Sequence, residues 1–545
     1  MNFNFSKSML GLIAGSAFLV SCVSAPVLVS TPVENIDSIP LKISDVTETQ
    51  KQRWGHADLV LDTIPGMSLE RAYEDIIKNK KGEKVIVAVL DSGIDLNHED
   101  LKNVLWTNTK EIPGNNKDDD NNGYVDDIHG YNFLGESYYE QLEMARIVRL
   151  KIGDAAYQAK AKAALDKKYD EALKNKEYYE QILQTVKTAD AAIQKELGKA
   201  TYTKKEVAEI KPTDGAMQQS VGMITQVFSF ADDVPSFIKD ISEGVTVMTE
   251  QLNYNLNVDF DGRKVVGDNP YDITDTKYGN GNPQSRSESE SHGTHVAGII
   301  AAQRGNSKGV DGVANNVEIM SIRAVSNGDE YDKDIALGIR YAVDNGAKII
   351  NGSFGKGFSP NAQWVYDAIK YAADNDVLFV HAAGNDGLDL DNPENANFPN
   401  DQINNGQEFA DNVITVGSLT NKYGSEMVSS FSNYGTINVD VFAPGSDIYA
   451  PVPGSKYEFN NGTSMAAPGV AGIAALIRSQ YPKLKASEVK QIILQSGLTT
   501  KTKVVTPGNP SVSSSFNLLS KSGKMANAYN ALILADQVSG GRVKL

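Results

Sequence analysis

Three side chains in this chain have the types and the order for acyl transfer through an activated hydroxyl. Asp91 ends the run KVIVAVLD, His292 opens HGTHVAGIIAA, and Ser464 sits in NGTSMAAP. A serine hydroxyl is a weak nucleophile until an adjacent base takes its proton. Histidine is that base near neutral pH, and a carboxylate behind it fixes the tautomer and steadies the imidazolium. The elements that must hold these groups are written around them. The β-branched run before Asp91 reads as a buried parallel strand, which delivers its carboxylate at the edge where open α/β sheets place their sites. His292 and Ser464 each lead into an apolar, small-residue run of helical type. Ser464 therefore stands among the unpaired N–H groups of a helix start, where an oxyanion can be held. Taken singly, Asp91 reads as a turn aspartate, His292 as a core histidine and Ser464 as an N-cap. Together, with these flanks, they favour chemistry.

A fourth segment, VLFVHAAGNDG at 377–387, is a strand running into a small-residue turn with Asn385. These motifs resemble the subtilisin-like serine proteases (subtilases) from about Trp54 to Asp536, in the family's order of Asp, His, Ser. The resemblance implies a serine endopeptidase in which Asn385 donates its amide to the tetrahedral intermediate. An Asn there departs from the sedolisin branch, which carries Asp. The resemblance also implies two peptide-pairing strands, Ser326-Asn327-Gly328 and Ser353-Phe354-Gly355, between which an extended polypeptide substrate adds itself. The pocket for the residue before the scissile bond is expected between 353–355 and Ala382-Ala383-Gly384, with its floor near Asn397, beside Phe398-Pro399. Ala443-Pro444-Gly445 completes the family pattern. Gly469 departs from it, where the family usually has His.

Two segments suggest structural calcium. By resemblance, Asp100 and Asn306 are side-chain ligands, with the carbonyls of Arg304, Lys308 and Val310 completing the cage; hard cations take such mixed oxygens. Asp118, Asp120, Asn122 and Gly123 have the start of a calcium loop, but its twelfth place is His129, so it is no EF-hand.

Around the site residues, 317–325, 347–352, 376–383 and 412–419 read as strands. Helical runs such as DKDIALGIRYAVDNG and AQWVYDAIKYAADN lie between them. The expected fold is α/β: a doubly wound parallel sheet of subtilisin type with a large α-helical insertion. The insertion, about 136–255, separates Asp91 from His292. Within it, Leu165, Tyr169, Ala172, Lys176, Tyr179, Leu183, Val186, Asp190, Ile193 and Leu197 step by four and three, an a/d seam seeking a partner helix. The run at 141–160 is the antiparallel candidate. Lid, docking arm and plain stabilising hairpin are all open readings.

The N-terminus reads as a lipoprotein signal at 1–21, too short to span a bilayer, ending in Leu19-Val20-Ser21-Cys22, which looks like a bacterial lipobox. Cys22 is the one cysteine of 545 residues, so intrachain disulfides are excluded and acylation of Cys22 is the expectation. Multiple acyl chains, palmitate among them, give stable membrane anchoring at the cell envelope. Residues 22–53 read as a tether, 54–537 as the peptidase domain and 538–545 as a tail. The net charge of −17 argues against nucleic acid as a partner. Two other classes stand beside the peptidase. A metal-dependent hydrolase would use His292 and His295, which have ligand spacing but no third-ligand cluster. A catalytically silent peptide-binding protein would use the cleft alone. Neither the preferred side chain nor the oligomeric state is written in the sequence.

Overall fold

A computed structural model describes residues 28, 30–40 and 46–545. Its centre is a seven-stranded, wholly parallel sheet in the order β2-β3-β1-β4-β5-β6-β7. The strands are β1 (Val85–Asp91), β2 (Gly130–Asn132), β3 (Val317–Arg323), β4 (Ile349–Gly352), β5 (Leu378–Ala382), β6 (Val413–Leu419) and β7 (Val441–Pro444). Each is buried almost throughout, as a sheet covered on both faces requires. β1 lies between β3 and β4, so the chain winds outward from it in both directions and the topological switch falls at its C-terminal end. Two antiparallel strands, β8 (Ile448–Val452) and β9 (Lys456–Asn460), form a separate hairpin before Ser464. Another pair, β10 (Lys503–Thr506) and β11 (Asn509–Ser515), lies near the end of the chain.

The helices are α1 (Glu48–Arg53), α2 (Leu59–Asp62), α3 (Leu69–Ala72), α4 (Glu143–Leu150), α5 (Ala155–Leu197), α6 (Lys204–Glu209), α7 (Gly215–Val227), α8 (Val234–Glu250), α9 (His292–Ala301), α10 (Asp332–Asp344), α11 (Ala362–Asp374), α12 (Thr463–Gln480), α13 (Ala486–Ser496) and α14 (Ala528–Ser539). One face of the sheet packs on α9, α12, α13 and α14 through Val87, Val89, Ile300, Val416, Val470 and Leu532. The other packs on α10 and α11 through Leu90, Ile322, Ile339 and Ile369. The four strands and both crossover helices read from the sequence lie where expected, within a residue or two at each end.

The insertion is helical, as read, but is built differently from a two-helix hairpin. Lys151 takes a left-handed conformation and ends α4, so 141–160 is no continuous helix. The seam lies on the 43-residue α5. Its distal half packs against α7 and α8 through Val186, Ile193, Ile224 and Val227. Its near half packs with α4 onto Phe358 of the sheet domain, through Ala145, Ile147, Ala161 and Leu165. Tyr169, by contrast, is exposed.

The stretch read as a tether also differs. Val33 and Ile36 are buried. Asn530 on α14 brackets Val33, accepting from its N–H at 2.8 Å and donating to its carbonyl at 3.0 Å. Apolar side chains with a receptive helix face nearby dock rather than hang free. Cys22 and the signal-like stretch lie outside the described residues.

Candidate active site

Asp91 closes β1 and is buried. Its Oδ1 accepts from His292 Nδ1 at 2.7 Å and from the Ser92 N–H at 2.7 Å. His292 is the first residue of α9 and is held from behind by two devices. Gly293 N–H donates to Ser92 Oγ at 3.1 Å. Glu290, two residues upstream, accepts from Arg323 Nη2 at 2.6 Å, and that buried guanidinium also donates to the Ser137 carbonyl at 2.8 Å. Neither Glu290 nor Arg323 was legible as a site residue, because a buried pair formed across 33 residues leaves no local pattern. Partial desolvation of His292 works against the imidazolium, but the charge and hydrogen bond of Asp91 prevail and raise its pKa above the ordinary histidine value. Asp91 Oδ2 has no hydrogen-bond partner among the described residues.

Ser464 lies in the first turn of α12. Its Oγ donates to the Ser353 carbonyl at 3.2 Å rather than to His292. The Asp91–His292 pair is thus made while the Ser464 hydroxyl is engaged elsewhere; serine–histidine bonds of this kind are commonly loose without substrate. Pro468 sits inside α12 and supplies no N–H, which frees the Ser464 carbonyl four residues earlier. Ser353 Oγ takes that carbonyl at 2.9 Å, tying the segment after β4 to the nucleophile's turn.

Asn385 follows β5. Its Oδ1 accepts from Thr463 N–H at 2.8 Å and Thr463 Oγ1 at 3.0 Å, so the amide is fixed with its NH₂ turned to the cleft it lines. That NH₂ and the Ser464 N–H are two donors at the start of a helix, the arrangement an oxyanion needs. Ala382 and Gly384 wall the same space, while Ala383, expected with them, is buried behind it. Asn397 lies beneath it, donating to the carbonyls of Ala382 and Ala383 at 3.3 and 3.1 Å. A Cβ on Gly355 would meet Asn397 Oδ1 at 2.5 Å, so the wall must be glycine there. At Gly469, the Met67 thioether stands 3.2 Å from where a side chain would begin, so a larger residue there would have to displace Met67.

The cleft encloses about 740 Å³ and is not built by the sheet domain alone. Ser464, Asn385, Phe354 and Gly355 line one side; Leu142, Met144, Lys160, Ala164, Lys167 and Lys168 of the insertion line the other. Lys160 reaches Glu394 at 3.1 Å across the opening.

Of the two expected peptide-pairing edges, the structure changes one. Asn327 is already paired within the chain: its N–H donates to the Tyr138 carbonyl at 2.8 Å, and its carbonyl accepts from Glu140 N–H at 3.1 Å. The Gly328 N–H is turned back onto the Ser326 carbonyl at 2.9 Å. Ser326-Asn327-Gly328 therefore offers a substrate fewer main-chain groups than expected. On the other edge, neither the N–H nor the carbonyl of Gly355 has a partner among the described residues.

At the expected calcium cage, Asp100 is hydrogen-bonded within the protein. Its carboxylate is buried and already takes donors: Asn306 Nδ2 at 2.5 Å, Val310 N–H at 3.2 Å and Tyr457 Oη at 2.9 Å. Of the loop's main-chain groups, the Val310 N–H faces Asp100, and the Lys308 N–H donates to Asn306 Oδ1 at 2.8 Å. Arg304 stacks on Tyr73 at 3.9 Å and Lys308 pairs with Glu99 at 2.5 Å. The second loop differs in composition. Asp118 and Asp120 come together with Glu111, their carboxylate oxygens lying within 4.8 Å of one another. Asn122 instead braces the loop, accepting from Tyr124 N–H at 2.8 Å and donating to Asp127 at 3.1 Å. Glu111 was missed because it precedes the acidic run and joins it only through the backbone N–H groups of Asp119, Asp120 and Asp126.

His295 is turned away from His292. Its Nε2 donates to the carbonyls of Ile448 and Glu458 at 3.1 and 3.2 Å, and burial brings its pKa down to about 4. It is a neutral core histidine and does not converge with His292.

A parallel, doubly wound sheet with these residues gathered at the C-terminal ends of its strands is the subtilisin-type architecture. The sequence profile of the subtilase family (peptidase family S8) matches residues 82–516, and the chain belongs to that family. A thermophilic serine proteinase from Bacillus sp. (strain AK1) is 38% identical over 247 residues, which are 44% of this chain and 54% of that protein. Thermitase from Thermoactinomyces vulgaris is 39% identical over 218 residues, 40% of this chain and 68% of the relative. This chain thus spans about half the length of the Bacillus protein. A solved structure of proteases from Pseudoalteromonas arctica PAMC 21717 aligns over 89% of this chain and 97% of its own, at 21% identity and a TM-score of 0.43.

Proposed function

We propose that this chain is a serine endopeptidase acting on polypeptides. The observation that carries the reading is the 2.7 Å Asp91–His292 pair beside a cleft lined by Ser464 and Asn385. With substrate bound, Ser464 Oγ leaves the Ser353 carbonyl and turns to His292. It attacks the scissile carbonyl while His292 Nε2 takes its proton. Asn385 NH₂ and the Ser464 N–H hold the oxyanion. The C–N bond breaks, the amine departs with the proton from His292, and the acyl group stays on Ser464 until water, deprotonated by the same imidazole, releases it. A fluorophosphonate probe should label the wild type at Ser464. Ser464→Ala, one oxygen smaller, should lose labelling and peptide hydrolysis while keeping its thermal transition. Undiminished turnover by that variant ends the serine-peptidase reading.

Glu111, Asp118 and Asp120 support a structural calcium in the 108–127 loop. Their carboxylate oxygens converge to within 4.8 Å of one another, and an oxygen-ligated cation would offset the repulsion among them. The chain is further read as a lipoprotein of a bacterial envelope, acylated at Cys22 and exposed outside the cytoplasm. The single-cysteine composition and the lipobox-like Leu19–Cys22 support that reading. Among the described residues, no helix is long and apolar enough to cross a membrane.

A further inference from the structure

Arg323 closes β3 in register with Asp91 on the neighbouring β1. The next two N–H groups, of Ala324 and Val325, donate to the Asp91 carbonyl at 2.9 and 3.1 Å. The Arg323 side chain is fully buried and passes the turn after Asp91, where a Cβ on Gly93 would stand 3.1 Å from Arg323 Cδ. A guanidinium carries five N–H donors in one rigid plane and no acceptor. Here every donor is used. Nε and Nη2 both donate to Glu290 Oε1, at 3.0 and 2.6 Å. Nη2 also donates to the Ser137 carbonyl at 2.8 Å. Nη1 donates to Asn132 Oδ1 at 3.1 Å and to the Gly135 carbonyl at 3.2 Å.

These acceptors come from two segments. Asn132, Gly135 and Ser137 lie where the chain leaves β2 for the insertion, and Glu290 lies where it has returned, just before His292. The same segments are stitched to each other: Asn132 and Asn280 exchange main-chain bonds at 2.9 and 3.0 Å, and Tyr131 Oη donates to the Tyr278 carbonyl at 2.8 Å. We infer that Arg323 is a positioning residue for His292, through which the two roots of the insertion set where the base stands between Asp91 and Ser464. The Glu290 side chain is 2% exposed, so the pair resists opening, which would leave a buried charge uncompensated. Such stiffness matters because misplacing a reacting group by about 1 Å costs on the order of a hundredfold in rate. This rests on the peptidase reading of Ser464 and deepens it, by giving the insertion's roots a part in holding the base.

The test separates geometry from charge in the full-length protein, with kcat on a peptide anilide counted per fluorophosphonate-labelled site so that unfolded molecules do not enter. Glu290→Asp keeps the ion pair but shortens its reach; Arg323→Lys keeps the charge but loses the planar fork. Both should lower kcat by about tenfold or more with KM within about threefold. Glu290→Gln keeps the length and an acceptor oxygen and should recover most of kcat. In a His292→Ala background, Glu290→Asp should change the residual rate by less than about twofold, because no base is left to misplace. Four results overturn the positioning role and leave the peptidase reading standing: kcat retained in Glu290→Asp, kcat retained in Arg323→Lys, Glu290→Asp as active as Glu290→Gln or more so, or an equal loss without His292. A wild type that neither hydrolyses the anilide nor takes the label overturns both.

Discussion

At the scale of single residues, the Asp91–His292 pair sets how the chain responds to acid. The base form of His292 is the useful one, and Asp91 raises the pH at which it is lost. Activity should fall as pH drops through a midpoint above the ordinary value near 6.5. In Asp91→Asn the Coulomb attraction is gone while burial remains, so the ring should titrate at or below that value. An NMR titration of the His292 ring, assigned with His292→Gln, reads this independently of turnover; an unshifted midpoint in Asp91→Asn would mean that the carboxylate does not govern the base. The same shift adds stability below the unfolded pKa, lost as pH rises through the folded one. The contribution is small, since the ring is half exposed.

Among the elements, the 108–127 loop is the one whose stability should depend on an ion. Glu111 binds three loop N–H groups and draws Asp118 and Asp120 beside it. A cation bound by the native loop alone adds stability by linkage, about 2.7 kcal/mol at a hundredfold excess over its dissociation constant. Chelation should lower the melting temperature of the wild type by several degrees. Asp118→Asn with Asp120→Asn should remove most of that calcium response. Asp100→Asn reports on the other expected site: a calcium response that survives it belongs to the 108–127 loop. Equal melting with and without chelator would reduce the cluster to a solvated acidic turn. The insertion behaves as two elements. Its distal half is a self-contained seam with α7 and α8. Its near half is fused to the sheet domain at Phe358 and Lys356, so excising all of 140–255 would strand buried charges around the groove.

For the whole molecule, the proposed envelope anchor is tested at Cys22. Cys22→Ser should move the protein from the membrane to the soluble fraction in a bacterium that processes lipoproteins, since serine cannot accept the thioether-linked diacylglyceryl group. Recovery of the variant in membranes washed at high salt would refute the anchor. The 33–37 stretch, docked on α14 and Thr500, shortens the free chain between such an anchor and the domain.

Local chemistry made much of this legible. A β-branched run ending in Asp, and small-residue helices opening on His and Ser, are contiguous signals. The residues that mark Asp91, His292, Ser464 and Asn385 in the sequence lie within a few positions of each, whereas the partners that hold them, such as Ser92 for Gly293 and Thr463 for Asn385, are distant in the chain. The parallel sheet followed from the same runs, because hydrophobic period and strand length are local properties. Tertiary structure decided what depends on distant partners. It put α4 against the groove, paired Lys356 with Glu143 across 213 residues, and paired Asn327 with the 138–140 segment. It filled the Asp100 carboxylate with protein donors and brought Glu111 to the acidic loop. A charge or a main-chain group carries no mark in the sequence of whether its partner will be a substrate, an ion or another part of the fold. Desolvation settles that only once the chain has closed on itself.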